Sequence, residues 1–318
     1  MCRWLAYTGK PILLSELVSD SNNSLVRQTL SFDGYQPLEH APRYPVDGDG
    51  FGLGWYDHDI APEPARLVFA DPAWNNPNLD NLCHLLRSSL VFGHVRAATL
   101  HSHVGLTNCH PFKFRNFLFM HNGGLAGFRQ LRRRLLQHLP DPLFDSIQGT
   151  TDSEHCFALF LSFLPTLETP VTTHTLRDAL AKTINTLMEW CDDIGVTDKT
   201  SLNFAVTDGH SLAATRFSSW KYQDHQIAQS LYYSVADEFV MGKDGNLHHC
   251  TCPDETPGAV VISSEPLTAN WTDPENCPEW EPIPEDSIIT VSPDYHVEIE
   301  TLEVSKRPTP PPLQTAAV

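Results

Sequence analysis

Long apolar runs are missing from this sequence of 318 residues, and none approaches the roughly 20 residues that a membrane-spanning helix needs. The polar, arginine-bearing start also lacks the charged and apolar regions of a signal peptide. Basic residues are scarce, since 21 Lys and Arg stand against 39 Asp and Glu, and the resulting net charge of -18 disfavours a nucleic-acid or anionic membrane surface. We therefore expect a cytoplasmic protein whose partners are small molecules or proteins.

Internal repeats and a dense cysteine framework are also missing. The 8 cysteines are scattered along a long chain, so reduced thiols are expected. The stretch GDGFG, residues 48–52, has too little of a dinucleotide fingerprint to form a cofactor loop, and its glycines are expected to serve tight backbone packing. The sequence thus predicts no cofactor.

Segments rich in β-branched and aromatic residues predict strands from RWLAY near the start to FLFMHN at Phe117, and again after Gly195. Between them, CFALFLSFL, FRQLRRRLLQHL and THTLRDALAKTINTLMEWCDD predict helices. The segment SLNFAVTDGHSLAATRF predicts a hairpin that turns at Asp208 and Gly209. This order favours an α+β fold in which two sheets pack on each other with helices outside.

The end of the chain, KRPTPPPLQTAAV, is rich in proline and has little to bury. We therefore expect one domain over residues 2–304 and a disordered tail over residues 305–318.

Cys2 directly follows the initiator methionine. Methionine aminopeptidases remove Met1 before a residue as small as cysteine, which would leave a thiol and a free α-amino group on the same residue. A free α-amine titrates at about pH 8 and can act as the base for its own thiol. Cys2 is therefore a candidate nucleophile.

Four stretches place small and polar residues at the ends of apolar strands: GHVRAAT, TNCHPF, MHNGG and GTTDSE. In MHNGG, Asn122 and Gly123 offer a side-chain amide and an unobstructed backbone N–H to an oxyanion. Arg96 offers a planar fork for a carboxylate, and Asp152 offers an anion for an ammonium group. Together these charges suit an α-amino acid whose side-chain amide reacts.

Each of these residues also has a purely structural interpretation. Arg96 can pair with a buried carboxylate, Asn122 and Gly123 form a common hairpin dipeptide, and Asp152 can cap a helix. A cysteine at position 2 can be incidental. The combination of all of them in one chain favours an active site.

The cluster HHCTC, His248 to Cys252, holds four potential zinc ligands. Structural zinc generally needs a second ligand pair, and Cys277, His101 and His103 show no regular spacing to the cluster. We expect an exposed turn and no metal there, with metal binding as the open alternative.

The order of an N-terminal cysteine, GHVRAAT, HPF, HNGG and TDSE resembles the class II glutamine amidotransferases of the Ntn-hydrolase superfamily. The stretches GDGFGLGWY, DPAWNNPNL and SSEPLT look more specifically like the compact single-domain branch, which includes the amidotransferase-like subunit of a glutathione-degradation complex and the γ-glutamyl hydrolase of ergothioneine biosynthesis. The resemblance implies a four-layer αββα sandwich with two packed, mostly antiparallel sheets. By position, it implies that Cys2 is the nucleophile and that Asn122 and Gly123 form the oxyanion hole.

The same resemblance implies the substrate-binding residues. Arg96 and Thr99 would hold the substrate α-carboxylate, and Asp152 would hold its α-amino group. His110 and His121 would shape the pocket around them.

The implied reaction is hydrolysis of a γ-glutamyl amide through a thioester on Cys2, with glutamine as the default substrate. The sequence leaves two versions open: a glutaminase subunit that works with a partner protein supplying an acceptor or peptidase function, and a stand-alone hydrolase of γ-glutamyl thiol compounds such as glutathione. A third alternative is a non-catalytic binding or scaffold protein on the same fold. That alternative predicts the loss of a clamp or oxyanion residue, and all of them are present.

Overall fold

The computed structural model describes residues 2–30, 48–98, 103–168, 170–221, 228–250, 258–268 and 279–307. The strands within these residues are β1 Arg3–Leu13, β2 Phe51–Trp55, β3 Ala65–Phe69, β4 Arg87–Val95, β5 Phe112–Phe114, β6 Phe117–Gly124, β7 Ser201–Thr207, β8 Leu212–Arg216, β9 Tyr232–Ala236, β10 Glu238–Met241, β11 Leu247–Cys250, β12 Ala259–Ser263, β13 Glu281–Pro282, β14 Ser287–Val291 and β15 Val297–Thr301. The α-helices are α1 Leu25–Gln28, α2 Pro77–Cys83, α3 Phe128–His138, α4 Asp141–Phe144, α5 Asp152–Phe163 and α6 Thr173–Asp193.

Two antiparallel sheets dominate the described part of the chain. One contains seven strands in the order β13-β9-β12-β1-β4-β2-β3, and the other contains six in the order β15-β14-β8-β7-β6-β5. The short hairpin β10-β11 forms a third, two-stranded sheet. Strands β1 and β12 pair although more than 240 residues separate them. The larger sheet therefore depends on pairing between distant parts of the chain.

The two large sheets pack face to face through one apolar layer. In β1, Trp4 and Ala6 point into this layer, whereas Leu5 and Tyr7 point to the opposite side. All four are at most 1% exposed. Such alternation shows a strand that is buried on both faces, which explains why RWLAY reads as a nearly continuous apolar run.

Helices cover the outer face of each sheet. In β6, Leu118 faces the inter-sheet layer, while Phe119 faces α5 and stacks on Phe157 with ring centroids 5.1 Å apart. On the other side of the molecule, Leu25 of α1 and Leu79 of α2 share a core with Leu5. The layers therefore run helix, sheet, sheet, helix, and the predicted αββα architecture is confirmed.

The predicted hairpin is also confirmed, and the ends of two predicted helices are capped. Thr151 caps α5 by accepting a hydrogen bond from the Glu154 backbone N–H at 3.3 Å, and Gly195 follows α6 with a φ of 70°. Strands β7 and β8 pair as a hairpin that turns through Asp208 and Gly209. None of the helices in the described ranges is both long and apolar enough to cross a membrane.

The stretch expected to be an exposed turn, His248 to Cys252, is a strand over its described part. His248, His249 and Cys250 lie in β11 and pair with β10. The neighbouring Leu247 is 1% exposed and packs into the core of the seven-stranded sheet, which holds this strand in place. Cys252 lies outside the described residues, as do Cys277 and His101.

The domain also makes contacts beyond the boundary expected at residue 304. The Ser305 backbone N–H donates to Asn185 Oδ1 at 3.2 Å, and Arg307 forms an ion pair with Asp286 at 2.8 Å. Ser305 and Arg307 therefore contact the domain, and residues 308–318 lie outside the described part.

Candidate active site

The pairing of β1 with β4 brings Cys2 and Arg96 together. Arg3 pairs with Val95, so the residues next to them, Cys2 and Arg96, are neighbours at the same end of the sheet. Trp4 in β1 and Phe92 in β4 face the inter-sheet layer, and strand alternation continues that face to Cys2 and Arg96. The nucleophile and the carboxylate clamp predicted from sequence therefore meet at one edge of this layer.

Arg96 is 3% exposed, and backbone carbonyls hold its guanidinium in place. Its Nη1 donates to the Asp49 carbonyl and its Nη2 to the His103 carbonyl, both at 3.3 Å. The Asp49 carboxylate in turn accepts the Ala98 N–H at 2.8 Å. The segment GDGFG, which contains Asp49, thus fixes the end of β4 from which Arg96 projects.

Glycine positions in that segment are confirmed as sites of close backbone approach. Gly50 has a φ of 123°, and a Cβ at Gly52 would lie 2.2 Å from the His110 carbonyl oxygen. Neither position accommodates a side chain.

Asn122 and Gly123 lie within strand β6 and pair with Asn203 and Leu202 of β7, so the hairpin-turn alternative is wrong for this dipeptide. Gly123 has a φ of 145°, and a Cβ there would lie 1.9 Å from the Ser201 carbonyl oxygen. Asn122 continues the inter-sheet face of Leu118 and Met120. Its buried Oδ1 has no hydrogen-bond partner among the described residues.

Asp152 is the first residue of α5 and not its cap, which is Thr151. Its Oδ2 accepts the Leu125 N–H at 2.7 Å, and its Oδ1 accepts the Ser153 N–H at 2.9 Å. A Cβ on Gly124 would lie 3.7 Å from the same Oδ2. The carboxylate therefore lies against the end of β6, directly after the candidate oxyanion hole.

Both ring nitrogens of His121 bond to the protein. Nδ1 lies 2.9 Å from Ser153 Oγ, and Nε2 lies 3.0 Å from the Ser201 carbonyl oxygen. Burial lowers the pKa of His121, although the nearby Asp152 carboxylate opposes this effect. Through Ser153 and Ser201 the ring links β6, β7 and α5 just before Asn122.

His110 is buried and stacks on His94, with ring centroids 4.1 Å apart. Neither of its ring nitrogens has a partner among the described residues, and burial lowers its pKa well below the ordinary value. The backbone around it is held by Arg66, which donates to the carbonyls of Cys109 at 2.8 Å and Pro111 at 2.6 Å. Thr99, the remaining predicted substrate contact, lies outside the described residues.

A salt bridge next to Cys2 was not predicted. Arg3 Nε lies 2.7 Å from Glu265 Oε1, and Arg3 Nη1 donates to the Cys2 carbonyl at 3.2 Å. Glu265 belongs to the quoted stretch SSEPLT, but only the register of β1 against β12, in which Leu5 pairs with Ser263, places it beside Arg3. Sequence spacing alone carries no signal for such a pair.

The described members of the cluster HHCTC, for which metal binding was the open alternative, have separate contacts. His248 Nε2 lies 2.9 Å from the Asp244 carboxylate, whereas His249 contacts Ser234 Oγ. Cys250 is an exposed free thiol. Each side chain thus has a different neighbour.

A cavity of about 570 Å³ lies elsewhere, where the edge strands β3 and β5 approach α5. Arg66, Phe112, Glu154 and Phe157 are among its lining residues. The predicted site residues are not among them, so the candidate active site is the edge of the inter-sheet layer and not this cavity.

Comparison with known proteins identifies one matching family and similar proteins from two organisms. The family described as class-II glutamine amidotransferases matches residues 14–280, a range that includes Arg96, Asn122, Gly123 and Asp152 and begins after Cys2. The probable glutamine amidotransferase DUG3 of Saccharomyces cerevisiae is 37% identical over 306 residues, which cover 92% of this chain and 82% of that protein. The gamma-glutamyl-hercynylcysteine sulfoxide hydrolase of Mycolicibacterium smegmatis is 25% identical over 308 residues, which cover 95% of this chain and 100% of that protein.

A solved structure agrees with these matches. A glutamine aminotransferase class-II domain protein from Silicibacter pomeroyi superposes with a TM-score of 0.59 at 25% identity, over 95% of this chain and 99% of that one. Because the family match spans most of the sequence and DUG3 aligns along nearly all of it, this chain belongs to the class-II glutamine amidotransferase family.

Proposed function

We propose that this chain is an enzyme that hydrolyses γ-glutamyl amides through a thioester on Cys2. The observation that carries the proposal is the pairing register, in which Cys2 and Arg96 end up side by side on the face of the seven-stranded sheet that packs against β6, the strand of Asn122. A nucleophile, a cation and an amide donor on one layer match the three needs of the reaction: attack, substrate binding and oxyanion stabilisation.

Substrate binding uses the two charges on opposite sides of this layer. The guanidinium of Arg96 binds the α-carboxylate of the γ-glutamyl group, and the carboxylate of Asp152 binds its α-ammonium. Because the two charges lie on different elements, β4 and α5, a ligand with both groups is held at two points. Its side-chain carbonyl is thereby directed to Cys2.

After removal of Met1, the α-amine of Cys2 takes the thiol proton as Sγ attacks the γ-carbonyl carbon. The carbonyl oxygen becomes an oxyanion, to which the Asn122 amide and the Gly123 N–H donate. The intermediate collapses, the C–N bond breaks, and the protonated α-amine returns its proton to the leaving amine. Water then attacks the thioester with the α-amine as base, which releases glutamate and the free thiol.

The leaving group distinguishes two versions of this function. With glutamine, the product is ammonia, and a partner protein that consumes ammonia would complete the reaction. With a γ-glutamyl peptide or thiol metabolite, water again accepts the γ-glutamyl group, but the leaving group is the amine of that compound and no partner is required. The first version is supported by the likeness to the probable glutamine amidotransferase DUG3, and the second by the likeness to the gamma-glutamyl-hercynylcysteine sulfoxide hydrolase.

The test is to assay the purified chain, with Met1 removal verified by intact mass, against glutamine, γ-glutamylcysteine and glutathione. Glutamate release is measured in each case, with the Cys2→Ala variant as the control. Release from the thiol compounds by the chain alone supports the stand-alone hydrolase. Release that persists in Cys2→Ala contradicts the thioester mechanism, and no release from any of the three substrates favours the scaffold alternative.

A further inference from the structure

Two buried histidines adjoin the candidate site, and the proposed mechanism gives them no chemical step. His94 lies in β4, two residues before Arg96, and His110 lies in the loop before β5. His94 is 0% exposed, and the planes of the two rings are 26° apart. The edge of the Phe112 ring packs on His110 with centroids 4.5 Å apart. The pair is thus enclosed between the sheets.

His94 makes one contact that crosses from one sheet to the other. Its Nε2 lies 3.2 Å from the carbonyl oxygen of His121, the residue directly before Asn122 in β6. A carbonyl oxygen only accepts, so Nε2 carries the proton and donates. Nδ1 is then a bare acceptor, and it has no partner among the described residues. This contact connects the strand that ends in Arg96 to the strand that contains the candidate oxyanion hole.

The position of the His121 carbonyl in β6 explains why a hydrogen bond from His94 matters there. Strand β5 pairs with β6 only over Phe117 to Phe119, so β6 has lost this neighbour before it reaches His121. On its other side β6 stays paired with β7 as far as Gly124. The His94 imidazole therefore supplies a hydrogen bond at the point where strand pairing holds β6 from one side only.

The orientation of the Asn122 side chain depends on the backbone between His121 and Asn122. Its Oδ1 has no described hydrogen-bond partner that would fix the orientation of the amide. The direction of the amide is then set largely by the peptide unit between His121 and Asn122, whose carbonyl is the one that His94 binds. A shift of about 1 Å in a donor of this kind costs roughly a hundredfold in rate.

We propose that His94 is a positioning residue: its Nε2–H holds the peptide between His121 and Asn122 and so aims the Asn122 amide at the oxyanion. The inference rests on the proposed function and adds a residue to it. Burial lowers the pKa of His94 to about 3; the hydrogen bond to the His121 carbonyl opposes this effect, and the charges of His121 and Arg96 add to it. The ring is therefore neutral at working pH and keeps one tautomer, as a fixed donor must.

The test compares His94→Gln with His94→Asn in the enzyme with Met1 removed. The Gln amide nitrogen is as many bonds from Cβ as Nε2 of histidine is, so it reaches the His121 carbonyl, whereas the Asn amide is one bond short. We expect His94→Asn to lower kcat about tenfold to a hundredfold. We expect His94→Gln to recover most of that loss, with KM within about twofold of wild type in both variants, because Arg96 and Asp152 are unchanged.

Two further readouts separate positioning from a merely structural role. Alkylation of Cys2 by iodoacetamide forms no oxyanion, so its rate should match wild type in both variants. The matched control is His249→Asn, which alters a largely buried histidine on β11 away from the site and should leave kcat unchanged. Equal kcat in His94→Gln and His94→Asn would overturn the proposal, as would parallel losses of kcat, alkylation rate and thermal stability.

A comparison of crystal structures tests the positioning role of His94 independently of the proposed function. Crystal structures of wild type and His94→Asn should differ in the position of the Asn122 amide, whatever substrate the enzyme takes. An Asn122 that stays in place within coordinate error would overturn the positioning role. By contrast, a wild-type enzyme that releases no glutamate from any γ-glutamyl substrate would contradict the proposed function and leave this geometric test standing.

Discussion

The backbone N–H of Ala97 donates a hydrogen bond to Sγ of Cys2 across 3.3 Å. The same sulfur lies 3.5 Å from the Ala97 carbonyl oxygen. Position 2 is thus tied to the end of β4 through its side chain, while its neighbour Arg3 is tied to Glu265 through a salt bridge. The sulfur thus accepts from the N–H and donates to the carbonyl of the same residue, which fixes its position beside Arg96.

Replacing Cys2 with serine should abolish catalysis while leaving the fold intact. A hydroxyl accepts the Ala97 N–H but is a far weaker nucleophile, so we expect glutamate release to fall by roughly a thousandfold or more. Cys250→Ser is the matched control, because Cys250 is an exposed thiol on β11. Activity in Cys2→Ser close to that of Cys250→Ser would contradict the assignment of the nucleophile.

Adjacent glycines at the candidate oxyanion hole should lose stability to different extents when a methyl group is added. Gly123→Ala puts a Cβ 1.9 Å from the Ser201 carbonyl oxygen at a φ of 145°, so we expect a loss of about 2 kcal/mol or more in the free energy of unfolding. Gly124→Ala meets its nearest atom, Asp152 Oδ2, at 3.7 Å and should cost about 1 kcal/mol or less. Urea unfolding of the two variants measures the difference, and equal losses would show that the clash at Gly123 is relieved.

Much of the fold could be predicted from local patterns. The alternation in RWLAY and FLFMHN, the helical spacing before Gly195 and the turn residues at Asp208 and Gly209 all depend on near neighbours. The hairpin of β10 and β11 was missed, because HHCTC has polar residues where a strand pattern would be apolar. Its pairing with β10 and the packing of Leu247 into the core make it a strand.

The candidate site could be predicted residue by residue, but its supporting contacts could not. Residue types that are unusual at strand ends single out four residues: Cys2, Arg96, Asn122 and Asp152. Glu265 and its salt bridge depend on the register between strands more than 240 residues apart, which local sequence does not encode. His94 is likewise one of 16 histidines, and its contact with the His121 carbonyl exists only once the two sheets are packed.

Removal of the Asp152 charge should raise KM only for substrates that carry an α-amino group. Asp152→Asn keeps an acceptor for the Leu125 N–H and removes the anion, so we expect KM for glutamine to rise roughly tenfold to a hundredfold. Glutaramate, which is glutamine without its α-amino group, should be a poor substrate whose KM is the same for both enzymes. Asp141→Asn, at an exposed helix start, controls for the loss of one negative charge. An equal rise in KM for both substrates would place the α-amino group elsewhere.

Acid should destabilise the folded chain through its buried histidines. Burial lowers the pKa of His94 from 6.5 to about 3 and also lowers the pKa values of His110 and His121. Below pH 6.5 the unfolded chain therefore binds protons that the folded chain does not, so the free energy of unfolding falls as the pH falls. Each such ring contributes a slope of about 1.4 kcal/mol per pH unit between its two pKa values.

The contribution of His94 can be isolated from that of the other groups. Urea unfolding at pH 7, 6 and 5 should give a slope for His94→Gln that is smaller than the wild-type slope by about 1.4 kcal/mol per pH unit below pH 6. His296→Gln is the control, because that ring is 68% exposed, and its slope should match wild type. If His94→Gln also keeps the wild-type slope, the folded chain protonates His94 as readily as the unfolded chain does. Such a ring would become charged as the pH falls through about 6.5 and would then repel the Arg96 guanidinium two residues away, which is incompatible with its proposed role as a neutral donor beside the carboxylate clamp.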